Sequence, residues 1–153
     1  MAAKPANPDP LDAPGTPQRV SDEEYQVLAA FRYALRRFLS FSEQAARAAG
    51  VTPQQYQALL AVRGYPGRDR VTVSELAERL KLRHHSTVGL IDRLVALGLM
   101  VRLPGVSDRR QVYVALTGPG TELLDRLAAV HRDQLRLIGP ELNAQLAKLG
   151  DAG

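Results

Sequence analysis

Two clusters of side chains in this sequence are suited to a polyanionic partner. His84, His85 and Ser86 stand together at the start of a helical stretch, and Thr87, Gly89 and Arg93 continue it. Asp108, Arg109 and Arg110 stand in a loop between two runs of alternating apolar and polar residues. Imidazole donates to or accepts from base edges, and a serine hydroxyl reaches base or phosphate. Arginine suits a narrow, electronegative minor groove. An aspartate two positions before it can hold the guanidinium fork by a bidentate contact. Gly89 on the outer helix face leaves room for close approach to DNA. The expected DNA-contacting set is therefore His84, His85, Ser86, Thr87, Gly89, Arg93, Asp108, Arg109 and Arg110.

Other chemistry finds little to work with. The chain has three His, no Cys, and no Ser or Asp in a recognisable nucleophile motif, and no glycine-rich phosphate loop follows a strand. No catalytic residues and no cofactor are expected. A metal at His84-His85 is disfavoured as well, because adjacent helical residues point about 100° apart. Neither has a carboxylate at i+4, where Val88 and Gly89 stand. Without Cys there are also no disulfides and no thiol-based redox sensing.

The elements that must position the two clusters are legible in the same stretch. Thr72 with Glu75 forms a capping box that opens a short helix, with Leu76, Ala77 and Leu80 inward. Ala77 is small enough for two helices to cross closely. The chain turns near Lys81, where glycine would adopt a left-handed conformation at least cost. A second helix runs from about His84 to Leu97, with Thr87, Val88, Ile91, Leu94 and Val95 inward and Gly98 as its stop. Met100 to Leu103 and Gln111 to Leu116 read as paired strands, with Pro104-Gly105 opening the loop between them. That order is a helix-turn-helix followed by a β-hairpin wing. In such a module the second helix enters the major groove, and the hairpin reaches the backbone or minor groove.

Charge is distributed accordingly. The net charge is +4. From Arg63 to Arg110 there are ten Lys/Arg and five Asp/Glu, an excess of five, so the remainder sums to about −1. At 153 residues with 45% apolar and 5% aromatic side chains, the chain suits one helical domain packed on Leu, Val and Ala.

Residues 1–20 hold five of the ten prolines and read as a flexible tail, with too few cations to serve as a DNA arm. The remainder, 21–153, reads as a single domain. Ser21 and Glu24 cap a helix to about Ala49, with Leu28, Phe31, Leu35, Phe38, Ser42 and Ala45 on one face. Thr52 and Pro53 open the next helix, whose apolar face is Tyr56, Leu59, Leu60 and the stem of Arg63. Thr117 caps a fifth helix, and Gly139-Pro140 is expected to break it and open a sixth. No apolar run approaches the ~20 residues that span a bilayer. No secretory h-region stands at the N-terminus, so the expected compartment is the cytoplasm.

Residues 52–120 resemble the MarR family of bacterial winged-helix regulators. The resemblance rests on TPQQYQALLAV, TVSELAERLKL, STVGLIDRLVALGLMVR and SDRRQVYVALTGPG, and it extends over about 21–150 through flanking helices of suitable length. It implies a mainly α fold of about six helices with a two-stranded wing. The winged DNA-binding part would span about 52–117, between dimerisation helices at about 21–49 and 118–150. It also implies a homodimer on a palindromic double-stranded DNA operator, most often as a repressor, released by a small aromatic or phenolic effector. Asp108 and Arg110 match the family's wing pair, and His84, His85 and Ser86 match the base-facing start of its recognition helix. The family's effector pocket would draw here on Phe31, Leu35, Phe38, Tyr56, Leu59, Arg63 and the region of Leu99, all of which also suit core packing. The competing reading is a winged-helix protein–protein adaptor. It would not need the segregated charge or Arg109-Arg110.

Overall fold

The computed structural model describes residues 19–150. The chain order is α1 (Asp22–Ala48), α2 (Pro53–Arg63), β1 (Arg70–Thr72), α3 (Val73–Leu80), α4 (His84–Ala96), β2 (Met100–Pro104), β3 (Val112–Leu116) and α5 (Gly118–Gly150). Three of the helix starts are fixed by reciprocal capping boxes. At each of Ser21/Glu24, Thr52/Gln55 and Thr72/Glu75, the hydroxyl accepts from the third residue's N–H, and that residue's side chain accepts from the cap's own N–H. Each such cap contributes on the order of 1 kcal/mol. Gly50 (φ 85°) and Gly98 (φ 74°) take the left-handed conformation that ends α1 and α4.

Two expectations require correction. The first is the break at Gly139-Pro140, because α5 continues through Pro140 to Gly150. Proline removes one helical hydrogen bond, and its ring crowds the carbonyl four residues earlier and the N–H and Cβ of the preceding residue. That residue is Gly139, which has no Cβ, and Ile138 beside it is buried. The described residues thus hold five helices instead of six.

The second is the sheet, which has three strands in the order β1-β3-β2. The hairpin pairs Met100 with Leu116 through Pro104 with Val112. The additional strand β1 pairs antiparallel with β3, with Val71 opposite Val114. Three residues are too few to show an alternation, and β1 follows the turn-rich Gly64 to Gly67 stretch, so it was not legible. Its central residue Val71 is fully buried.

The core lies where α2, α3 and α4 meet the sheet and the start of α5. Leu59, Val62, Leu76, Leu90, Ile91, Leu94, Met100 and Val114 are essentially sealed there. Leu90 was missed as an inward residue of α4. Leu60, expected inward, is exposed, and Ala58 and Val62 take the buried face of α2 with Tyr56 and Leu59. On α1 the buried seam runs through Val27, Ala34 and Ala46. The larger Phe31, Leu35 and Phe38 flank it half-buried, and Leu28 is exposed.

One buried polar residue ties α1 to α5. His131 Nδ1 lies 2.6 Å from the Leu127 carbonyl, and Nε2 lies 2.7 Å from the Ser42 hydroxyl. A carbonyl can only accept, so Nδ1 donates to it; in the neutral ring Nε2 then accepts from the Ser42 hydroxyl. The ring stacks on Tyr56 at 4.4 Å and meets the edges of Phe38 and Phe41.

Candidate nucleic-acid interface

The turn between α3 and α4 is built at a conformational cost. Lys81 adopts φ 54° and ψ 39°, the left-handed region, with no glycine to relieve it. The Leu82 N–H donates to the Ala77 carbonyl at 3.0 Å and the Lys81 N–H to that of Glu78 at 3.2 Å, which closes the turn. Ala77 and Leu76 are buried beneath it, and the Lys81 ammonium pairs with Glu78 at the surface.

This turn presents the first turn of α4. His84, His85 and Ser86 are all exposed. Arg83 occupies the N-cap without making a side-chain capping bond. The first N–H groups of the helix thus stay available to an anion, with the positive end of the helix dipole behind them. Arg93 is exposed further along the helix.

Thr87 does not belong to this surface. Its side chain is fully buried, and its hydroxyl donates to the Arg83 carbonyl at 3.0 Å. It faces the protein core, as its place in the apolar periodicity already required. Gly89 is half-buried, and a Cβ there would meet only the Arg93 guanidinium at 3.7 Å, an ordinary contact. Within the chain itself, nothing demands glycine at this position.

The wing is held by its own backbone. The Gly105 N–H donates to the Gln111 carbonyl at 2.8 Å and the Gln111 N–H to the Asp108 carbonyl at 3.1 Å. A Cβ on Gly105 would fall 2.1 Å from the Asp108 carbonyl oxygen, so this close approach requires glycine. The Asp108 carboxylate accepts from the Arg110 backbone N–H at 2.9 Å. The expected bidentate grip on a guanidinium is absent, because the short side chain satisfies the turn it belongs to. Arg109 and Arg110 are exposed and take no ion-pair partner among the described residues.

A residue pair that the sequence reading missed joins the two parts. Asp92 of α4 pairs with Arg102 of β2, so this helix and the wing share a surface ion pair. Ten residues separate the two in sequence, and no local spacing rule signals such a contact. Behind the wing, Thr117 donates its hydroxyl to the Gly98 carbonyl at 2.6 Å and accepts from the Gly120 N–H at 3.1 Å. This caps α5 and fastens it to the end of α4.

Of the six candidate effector residues, Phe38 and Tyr56 meet on the His131 ring, and Arg63 stands apart from them. Leu59 is sealed in the core. Tyr56 is buried against His131, and burial pushes its phenol above the usual range. Phe31, Leu35 and Phe38 are half-buried along α1. Arg63 is exposed and lines a separate cleft between the end of α2, β1 and the base of the wing.

The comparisons with known proteins agree with this architecture. The family described as MarR family matches residues 49–111. The transcriptional repressor NicR of Pseudomonas putida is 30% identical over 135 residues, covering 88% of this chain and 80% of that protein. A MepR variant from S. aureus bound to an oligodeoxyribonucleotide superposes with a TM-score of 0.64 at 18% identity, covering 84% of this chain and 96% of that one. NadR in complex with 4-hydroxyphenylacetate superposes with a TM-score of 0.64 at 21% identity, covering 90% and 93%. At these identities the two structures establish the fold. Among the described residues, no helix is long and apolar enough to cross a membrane.

Proposed function

The chain belongs to the MarR family of winged helix-turn-helix transcriptional regulators, and we propose that it acts as a homodimeric, effector-responsive repressor on a palindromic operator. It is a regulator and not an enzyme. The observation that carries the DNA-binding reading is the wing tip together with the start of α4. Arg109 and Arg110 are exposed and unpaired there, and the N-terminal turn of α4 offers His84, His85 and Ser86 beside uncapped N–H groups. His84, His85 and Ser86 would meet base edges in the major groove, with Arg93 on the phosphate backbone. Arg110 would enter the adjacent minor groove, and Asp108 would fix the turn that presents it.

Homodimer formation is supported by the terminal helices. Leu28, Tyr33 and Leu39 on α1 and Leu135, Leu137 and Leu146 on α5 are exposed in the single chain. A second copy would cover them. The repressor reading draws on NicR, and the effector reading on NadR, which binds the aromatic acid 4-hydroxyphenylacetate. The protein would act in the cytoplasm, where its DNA is.

The test is a mobility shift with the intergenic DNA beside the gene, titrated with aromatic acids. We expect a discrete complex that one of the acids dissolves. Equal retardation of that DNA and unrelated DNA at every protein concentration would refute sequence-specific binding.

A further inference from the structure

Gly89 stands where glycine works against the chain's own stability. It lies in the middle of α4 with ordinary helical backbone, and glycine there destabilises a helix relative to alanine. The other glycines inside helices have an internal reason. A Cβ on Gly120 would fall 2.0 Å from the Leu99 carbonyl oxygen, and Gly139 precedes Pro140. Gly89 has no such reason, since a Cβ there would meet only the Arg93 guanidinium, at 3.7 Å. Its place on the helix is outward. Thr87, Leu90, Ile91 and Leu94 fill the opposite, buried face. His85 and Ser86 stand one turn before it, Asp92 and Arg93 one turn after, and all four are exposed. The Asp92 carboxylate is taken by Arg102 of the wing. The centre of the outward face is therefore a patch of bare backbone framed by polar side chains.

We propose that Gly89 determines sequence specificity, by seating the C5-methyl group of a thymine against its Cα. The inference deepens the DNA-binding reading above and rests on it. In mid-helix the Gly89 N–H and C=O are committed to helical hydrogen bonds, so the residue has no donor or acceptor to spare. What it offers a base is room and a C–H surface. The edges of base pairs in the major groove carry donors and acceptors, and the apolar group among them is the thymine methyl. The flanking His85, Ser86 and Arg93 suit donors, acceptors and phosphates, whereas the bare patch between them matches a methyl. A Cβ at position 89 would occupy the same space, so an alanine there and a thymine methyl exclude each other. The helix is less stable for its glycine, and the complex gains a preference for thymine at one position of each half-site.

The experiment first selects preferred sites from random DNA with the full chain. Each thymine of the recovered half-site is then replaced by deoxyuridine, symmetrically in both halves, and parent and Gly89→Ala are titrated by fluorescence anisotropy. Deoxyuridine keeps the base pairing and every donor and acceptor, and removes only the methyl. At one thymine the parent should lose about fourfold in affinity per half-site, as one buried methyl contributes. Gly89→Ala should bind the thymine operator roughly fourfold more weakly per half-site than the parent, and should bind the deoxyuridine operator at least as tightly as the thymine one. Without DNA, Gly89→Ala should melt at a higher temperature than the parent. Deoxyuridine that is neutral for the parent at every thymine would overturn the assignment, as would equal losses in parent and Gly89→Ala. So would a Gly89→Ala variant that melts below the parent, since the glycine would then serve the fold. Failure of the parent to enrich any motif is a separate result. It would overturn the sequence-specific DNA-binding reading, and this inference with it.

Discussion

Arg110 and Asp108 sit two residues apart, and the structure gives them separate tasks. Arg110 projects its guanidinium into solvent, whereas Asp108 spends its carboxylate on the Arg110 N–H. Arg110→Ala should therefore remove a minor-groove charge and cost on the order of 1–3 kcal/mol of operator binding per half-site, with the fold unchanged. Asp108→Ala should loosen the turn by about one hydrogen bond, roughly 1 kcal/mol, and weaken binding less. Mobility-shift titrations of both variants check the order, and equal losses would mean that the turn, and not the guanidinium, carries the contact. Tyr56 offers a test away from the interface. Its buried phenol favours the neutral form, so its folded pKa lies above its unfolded one. That contribution is intact below the unfolded value of about 10 and is lost as pH rises past it. Melting temperatures from pH ~8 to ~11 should fall more steeply for the parent than for Tyr56→Phe; parallel curves would deny the burial effect. Residue types suggested the DNA-facing set, and Thr87 shows the limit of reading them. Its polarity suggested contact, while its place in the inward periodicity was the stronger signal. His131 gave no local signal, because its partner Ser42 lies 89 positions away.

At the level of elements, capping chemistry made helix starts legible, and chain turns were harder. Ser21, Thr52 and Thr72 each marked a helix start, and the helices begin there. β1 was not legible, because its existence depends on a partner strand more than forty residues later. Pro140 misled, since α5 continues through it to Gly150; the missing Cβ at Gly139 removes one of the clashes a helical proline makes. The α3–α4 turn carries strain that can be relieved. A left-handed lysine costs about 1–2 kcal/mol relative to glycine, partly offset by the greater freedom glycine has when unfolded. Lys81→Gly should thus stabilise the protein by roughly 0.5–1 kcal/mol in thermal or urea melts. A loss of stability would show that the Lys81–Glu78 pair outweighs the backbone. The opposite applies at the start of α5. A Cβ on Gly120 would fall 2.0 Å from the Leu99 carbonyl oxygen, backbone that cannot swing aside. Gly120→Ala should cost about 1–3 kcal/mol by forcing α5 away from the end of α4. Parent-like stability in the same melts would mean that this junction is softer than its geometry implies.

For the whole molecule, charge and apolar surface are placed at opposite ends of the problem. The excess of cations lies between Arg63 and Arg110, while the exposed apolar side chains are mostly on α1 and α5. A single chain with that much apolar helix surface exceeds what monomers usually leave in water. In light scattering at micromolar concentration the mass should be twice 16.7 kDa. Truncation after Ile138 should give insoluble protein, because it deletes Leu146 and Leu149 along with the last turns that α5 would lay against the partner. Dimerisation then determines how steeply DNA binding depends on salt. Each phosphate neutralised adds a slope of about −0.9 in log K against log salt. Each half of the dimer would bring Arg109, Arg110 and Arg93, so the total slope should reach a magnitude of about 5 or more. Arg110→Ala removes one contact per half and should reduce it by nearly 2. Substitution at His85 should leave the slope almost unchanged while altering the preferred sequence, because base edges release no counterions. A slope near zero between ~50 and ~200 mM salt would mean that the positive surface meets a protein partner instead of DNA.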